Sequence, residues 1–137
     1  MFLLDTNVIS ELRRPDKADR NVLAWATRLP SASFFISAIS ILEIERGALM
    51  VARRDPRQGA MLRAWIDRQI VGRFEGRVLA IDVAVAQRCA RLHIPDPKAE
   101  RDALIAATAL VHGLTVATRN IADFEATGVA LINPWEP

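Results

Sequence analysis

Short apolar runs alternate along this chain with longer stretches in which apolar residues recur every three or four positions. That is the signature of strands separated by helices. Phe2–Leu4 predicts a first strand, residues 33–37 around Phe34-Phe35-Ile36 a second, 78–81 a third, 115–118 a fourth and 129–132 a short fifth. Thr6 or Asn7 is expected to cap a short helix that Pro15 ends, and Asp19 to start another that buries Val22, Trp25 and Leu29 before Pro30. Ser37 or Ser40 caps a helix running through Ile41, Leu42, Ile44, Ala48 and Leu49. Asp55-Pro56 opens one with Met61, Leu62, Trp65, Ile66 and Ile70 on its buried side. Asp82 caps a helix carrying Val85, Cys89 and Leu92, and a helix from about Ala99 to His112 ends at Gly113. No Asn-Gly hairpin signal separates the strands. The pattern therefore predicts a three-layer α/β/α fold with a mostly parallel central sheet of four to five strands.

With 137 residues the chain reads as one domain, 1–137, large enough to bury a real core. A mean hydropathy of +0.14 is high for so small a domain. It implies a sheet covered on both faces, or apolar surface covered by a partner. Net charge is only +2, yet the basic residues are Arg except for Lys17 and Lys98. Arginine suits bidentate phosphate contacts, though arginine-rich codon use gives the same bias, so the charge permits a nucleic-acid partner without demanding one. A lone cysteine, Cys89, excludes an internal disulfide and a thiolate metal cage and is expected in the core. The first apolar run meets Asp5 at once, too short for a signal peptide, and no window suits a membrane span. A cytoplasmic protein is expected.

Asp5 ends the first strand, and in open α/β sheets ligands bind beyond the C-terminal strand tips. Glu43, one turn into its helix on a small, apolar face, is costly there unless paired or metal-bound. Glu45 is better read as a partner of nearby arginines. Asp102 lies in the first turn of the most apolar helix, whose N-terminus should aim at the same sheet edge, and Asp123 follows the fourth strand. Asn120 and Asp123 are three apart, so one helical turn puts their oxygens on one side. Gly47 suggests a close approach of backbone or ligand. Each acid has an ordinary structural explanation as a cap or first-turn residue. Four acids meeting with no base built in beside them would repel, and a hard divalent ion such as Mg²⁺ fits an oxygen-only ligand set. His93 and His112 lack ligand spacing and read as helix-end residues.

Leu4-Asp5-Thr6-Asn7, the run from Ser37 through Glu43 to Gly47, Asp102-Ala103-Leu104-Ile105-Ala106-Ala107, and Thr118-Arg119-Asn120 with Asp123-Phe124 together resemble the PIN domain, in order and along essentially the whole chain. The opening through Leu12 and the ending Asn133-Pro134-Trp135 are similar to the FitB-like subgroup of VapC-type toxins. The resemblance implies Asp5, Glu43 and Asp102 as core metal ligands for Mg²⁺ or Mn²⁺. It implies a fourth position filled by Asp123 or, through its amide, Asn120. Thr6, Asn7, Thr118 and Arg119 become substrate contacts or supports of the metal shell. It further implies RNA cleavage that leaves a 5′-phosphate and a 3′-hydroxyl, a homodimer, and a VapB- or FitA-like antitoxin that plugs the acidic pocket and binds operator DNA.

On that reading a metal-activated water attacks the phosphodiester, and Arg13, Arg14, Arg46 and Arg119 are candidate holders of the RNA backbone. Two rivals stand beside it. A receiver-type phosphoacceptor also gathers acids at a sheet tip, but needs a paired acid near the first strand and a lysine after a late one. A catalytically inactive PIN-like binding module would use the acids only to dock a partner's arginine.

Overall fold

Leu3 and Leu4 are neighbours on one strand, yet each is buried in a different core, because successive strand residues face opposite sides of a sheet. In the computed structural model, which describes residues 1–137, that strand is β1 (Phe2–Leu4). It is flanked by β2 (Phe34–Ser37) and β4 (Thr115–Ala117), with β3 (Val78–Leu79) and β5 (Leu131–Ile132) at the edges. The order is β3-β2-β1-β4-β5 and every pairing is parallel, with Phe2 opposite both Phe34 and Thr115. All five C-terminal tips thus lie along one edge. The chain reverses its progress across the sheet between β1 and β4, the place where α/β sheets open a crevice. A receiver domain has the order 2-1-3-4-5, so this topology removes that reading.

One face carries α1 (Thr6–Glu11), α2 (Arg20–Thr27), α3 (Ala38–Arg54) and α4 (Pro56–Trp65), the last running on into a wide π-type turn, Ile66–Gly72. Val8, Val22, Ile36 and Ile66 are wholly buried there, each worth about 1.5–3 kcal/mol relative to exposure. Trp25 anchors the corner, edge-on to Phe2 at 5.1 Å and tilted on Phe34 at 5.3 Å. The other face carries α5 (Val83–Leu92) and α6 (Glu100–His112), with a single-turn α7 (Ile121–Phe124). Small residues let α6 press close: Ala103, Ala106, Ala107 and Ala109 are all fully buried against Leu3 and Val116. Gly113 stops it at φ +67°, a left-handed turn that glycine adopts without strain.

Asp19, Ser37, Asp55 and Asp82 cap their helices as expected. Elsewhere the structure corrects the pattern. Asp5, rather than Thr6 or Asn7, caps α1, accepting the Thr6 N–H at 2.7 Å. Leu42, Leu49 and Met61 are more than half exposed, because α3 and α4 pack on each other through Ala48, Ala52 and Gly59 instead. A Cβ on Gly47 would meet nothing within 4 Å, whereas one on Gly59 would lie 2.4 Å from Ala52 Cβ. The close approach therefore belongs to Gly59. The third and fifth strands are shorter than expected, two residues each. No helix is long and apolar enough to cross a membrane.

Candidate functional site

Three of the four predicted acids meet, and a base sits among them. Asp5 stands at the tip of β1, Glu43 in α3 and Asp102 in the first turn of α6. The Arg101 guanidinium spreads its three nitrogens over all three. Nη2 donates to Asp5 Oδ1 at 2.5 Å, Nε to Glu43 Oε2 at 2.7 Å and Nη1 to Asp102 Oδ1 at 2.8 Å. The expectation of an acid cluster with no base beside it is therefore corrected. Arg101 gave no signal in the sequence, because Glu100-Arg101-Asp102 reads as a solvated helix start.

Asp5 is fully buried, which costs several kcal/mol for a carboxylate unless each oxygen finds a partner. Oδ1 accepts from Thr6 N–H and Arg101, and Oδ2 accepts the Thr118 hydroxyl at 2.8 Å. The Thr6 hydroxyl in turn donates to Glu43 Oε1 at 2.7 Å, with Ser40 Oγ 3.0 Å away. Thr6 and Thr118 thus grip the outer oxygens of two carboxylates while the inner oxygens face a common centre. Burial alone would raise the Glu43 pKa, but the hydrogen bonds from Arg101 and Thr6 and the charges of Arg101 and Arg46 outweigh it. They hold Glu43 below the ordinary carboxylate range. Burial also works against the Arg101 cation; Glu43, Asp5 and Asp102 more than offset it and keep the guanidinium charged.

The donor set suits a hard divalent ion: oxygen only, three carboxylates, and two negative charges left after one guanidinium is counted. Asn7 adds an independent sign. Its Oδ1 is the one buried side-chain oxygen or nitrogen without a hydrogen-bond partner, and its Nδ2 lies 3.5 Å from Thr118 Oγ1, beside Asp5. Such an orphan fits a water of a metal's shell.

The fourth position is not drawn in. Asp123 is exposed in α7 and pairs with none of the three acids. Asn120 is also exposed, its N–H bonded to Thr118 Oγ1 at 3.0 Å. The Arg119 guanidinium stacks over Trp135 at 5.1 Å and that of Arg13 over Trp65 at 6.0 Å. Glu45 takes a two-nitrogen pair from Arg63, as its structural reading required.

A second cluster joins Cys89, His93 and Glu100, with Cys89 Sγ 3.8 Å from His93 Nε2 and 3.9 Å from Glu100 Oε1. It is not a metal cage. His93 Nδ1 accepts the Lys98 N–H at 3.0 Å, which leaves the ring proton on Nε2, the atom a metal would need bare. Burial first, then the charge and hydrogen bonding of Glu100, push the Cys89 thiol up and keep it neutral. The trio ties α5 to the start of α6, next to Arg101.

Comparison with known proteins agrees with this geometry. The PIN domain family model matches residues 2–129. VapC ribonuclease Y4jK of Sinorhizobium fredii is 36% identical over 142 aligned positions, covering 100% of this chain and 99% of that protein. Toxin FitB of Neisseria gonorrhoeae is 38% identical, covering 98% and 99%. A solved structure of FitAB bound to the IR36 DNA fragment superposes with a TM-score of 0.89 at 36% identity, over 100% of this chain and 97% of that one. Parallel sheet, acids at its tip and relatives matched end to end converge on one assignment: the chain belongs to the PIN domain family.

Proposed function

We propose that this chain is a metal-dependent ribonuclease, the toxin of a VapBC-type toxin–antitoxin pair. The observation that carries the reading is the convergence of Asp5, Glu43 and Asp102, from three separate elements, on one centre at the sheet's C-terminal edge. The relatives named ribonuclease and toxin support it.

Asp5, Glu43 and Asp102 would hold Mg²⁺ or Mn²⁺, with Asp123 of α7 as the fourth acidic candidate. Held there, a divalent ion would supply a water of lowered pKa and neutralise charge on the phosphate under attack, a chemistry that would leave a 5′-phosphate and a 3′-hydroxyl. The protein's own part is positioning. Thr118 and Thr6 fix the carboxylate planes, Asn7 Oδ1 orients a water beside Asp5, and burial of Asp5 strengthens each contact in the low dielectric. Arg119, Arg46 and Asn120 are the candidate contacts for the RNA backbone.

The partner is a VapB- or FitA-like antitoxin. The solved FitAB assembly is bound to a DNA fragment, and the present chain would join an operator-binding complex with its antitoxin; the homodimer is what the family resemblance implies. An apolar groove of about 540 Å³ opens on the α1–α4 face, lined by Leu12, Leu23, Leu29, Trp65 and Phe74 with Arg13 and Arg73 beside them. It fits an apolar antitoxin segment with acidic flanks. Such cover would also account for the high hydropathy.

The test is cleavage of a panel of structured RNAs with Mg²⁺ or Mn²⁺, mapping 5′ ends. Asp5→Ala and Asp102→Asn should lose at least about a hundredfold in rate, as removal of groups that stabilise transition-state charge does, and EDTA should abolish cutting. Equal cutting by both variants would refute the site. The inactive-module reading draws its one support from Arg101, which already neutralises part of the cluster. Mn²⁺ binding measured by calorimetry decides between them, since an inactive module has no ion to hold.

A further inference from the structure

The three oxygens that Arg101 occupies are the three a metal would need. Each of its nitrogens takes one inner oxygen, at 2.5, 2.7 and 2.8 Å, while Asp5 Oδ2 and Glu43 Oε1 are already held by Thr118 and Thr6. The three oxygens stand around the guanidinium farther apart than one ion can span, so an ion taking them would replace the guanidinium at the centre and draw the carboxylates inward. The two cannot share the centre. Resting on the metal-site reading above, we propose that Arg101 is a tethered competitor for the metal: it fills the acid pocket in the metal-free protein and swings out when a divalent ion binds.

The exchange is chemically balanced in both directions. With Arg101 in place the cluster keeps two negative charges, so the pocket still attracts a divalent ion. Without any cation, three carboxylates, one of them fully buried, would face each other unscreened. The guanidinium holds that arrangement together until metal arrives. Its route out is short. The Arg101 side chain is one-third exposed on the first turn of α6, so a change of rotamer carries the head to the pocket mouth without moving the helix. The carboxylates then close on the ion from the wider spacing that the guanidinium sets. Released there, the charge faces the side from which an anionic substrate must enter. Arg101 is therefore a positioning residue whose departure sets the apparent metal affinity.

The test compares Mn²⁺ affinity of the wild-type chain and Arg101→Gln by titration calorimetry, with Asp5→Asn as a control for the site. Removing the competitor should tighten Mn²⁺ binding by about tenfold or more, since strong charge-assisted bonds no longer have to be broken first. Arg101→Lys, which keeps the charge but offers one ammonium in place of a three-nitrogen fork, should fall between. A second readout needs no variant fold: the Arg101 Nε–H signal in ¹H–¹⁵N spectra should be protected without metal and lose that protection as Mg²⁺ saturates. Equal or weaker Mn²⁺ binding by Arg101→Gln, or an Nε–H signal unmoved at saturation, overturns the competitor. If Asp5→Asn still abolishes binding in that case, the metal site survives it. Absence of Mn²⁺ binding in both wild type and Arg101→Gln overturns both readings together.

Discussion

Thr118→Val is the most exacting perturbation of the site, because it changes one hydroxyl for one methyl at nearly constant volume. Thr118 is fully buried. Its Oγ1 donates to Asp5 Oδ2 at 2.8 Å and accepts the Asn120 N–H at 3.0 Å. A hydrogen bond to a charged group contributes about 1.5–3 kcal/mol, and the abandoned oxygen belongs to a fully buried carboxylate. The Asn120 N–H adds little, since Asn120 is exposed and can bond solvent. The expected loss is about 2–3 kcal/mol. Unfolding entropy of ~2.1 cal/mol/K per residue gives roughly 0.3 kcal/mol per degree for a chain of this length, so Tm should fall by about 7–10 °C. Urea unfolding should show a lower midpoint with unchanged slope. Thr118→Ser, which keeps the hydroxyl, should lose less than half as much. A double-mutant cycle with Asp5→Asn should give a coupling of about 1 kcal/mol or more. If valine and serine cost the same, the loss is one of packing and the hydroxyl–carboxylate link is not what holds Asp5.

Two further outcomes follow from the same contacts. Glu43 has its pKa held below the ordinary 4.5, so its stabilising contribution is complete above that value and is lost as pH falls through the depressed one. Urea midpoints measured from pH 6 downward should therefore drop more steeply below about 4.5 for wild type than for Glu43→Gln, and parallel curves would contradict the pairing with Arg101 and Thr6. Gly59→Ala should destabilise although alanine is the better helix former: its Cβ would fall 2.4 Å from Ala52 Cβ and 2.6 Å from Ala52 Cα. Prying α3 from α4 costs about 1–3 kcal/mol against a propensity gain of at most ~1; a thermal melt that rises would refute the close approach.

What could be read beforehand depended on how local the cause was. Strands and caps were legible because Phe34-Phe35-Ile36, Asp19 and Ser37 act through their immediate neighbours. Asp5 was legible as an acid at a strand tip. Its double duty as cap and site residue was not, since both roles use the same oxygen. Leu42, Leu49 and Met61 kept the helical period yet face outward, because alanine and glycine, weak signals in any apolar pattern, took over the α3–α4 contact. Arg101 could not be found at all. Its partners Glu43 and Asp5 are 58 and 96 residues away, and nothing local distinguishes a guanidinium that turns inward from one that stays in water.

The division of labour around the three acids explains why an exchangeable cation is compatible with so buried a site. Orientation is assigned to neutral groups: the Thr118 and Thr6 hydroxyls hold Asp5 Oδ2 and Glu43 Oε1, the oxygens that Arg101 does not touch. Neutralisation is assigned to whatever cation lies at the centre. Had the arginine done both, its departure would scatter the carboxylates, and every metal-binding event would bear the cost of rebuilding them. Because the hydroxyls keep the ligands close, the exchange requires one mobile side chain on the first turn of α6 and a closure of the carboxylates on the ion. Substitutions at the threonines should therefore disturb metal binding and stability together. Substitutions at Arg101 should move them in opposite directions, and that opposition separates a support from a competitor.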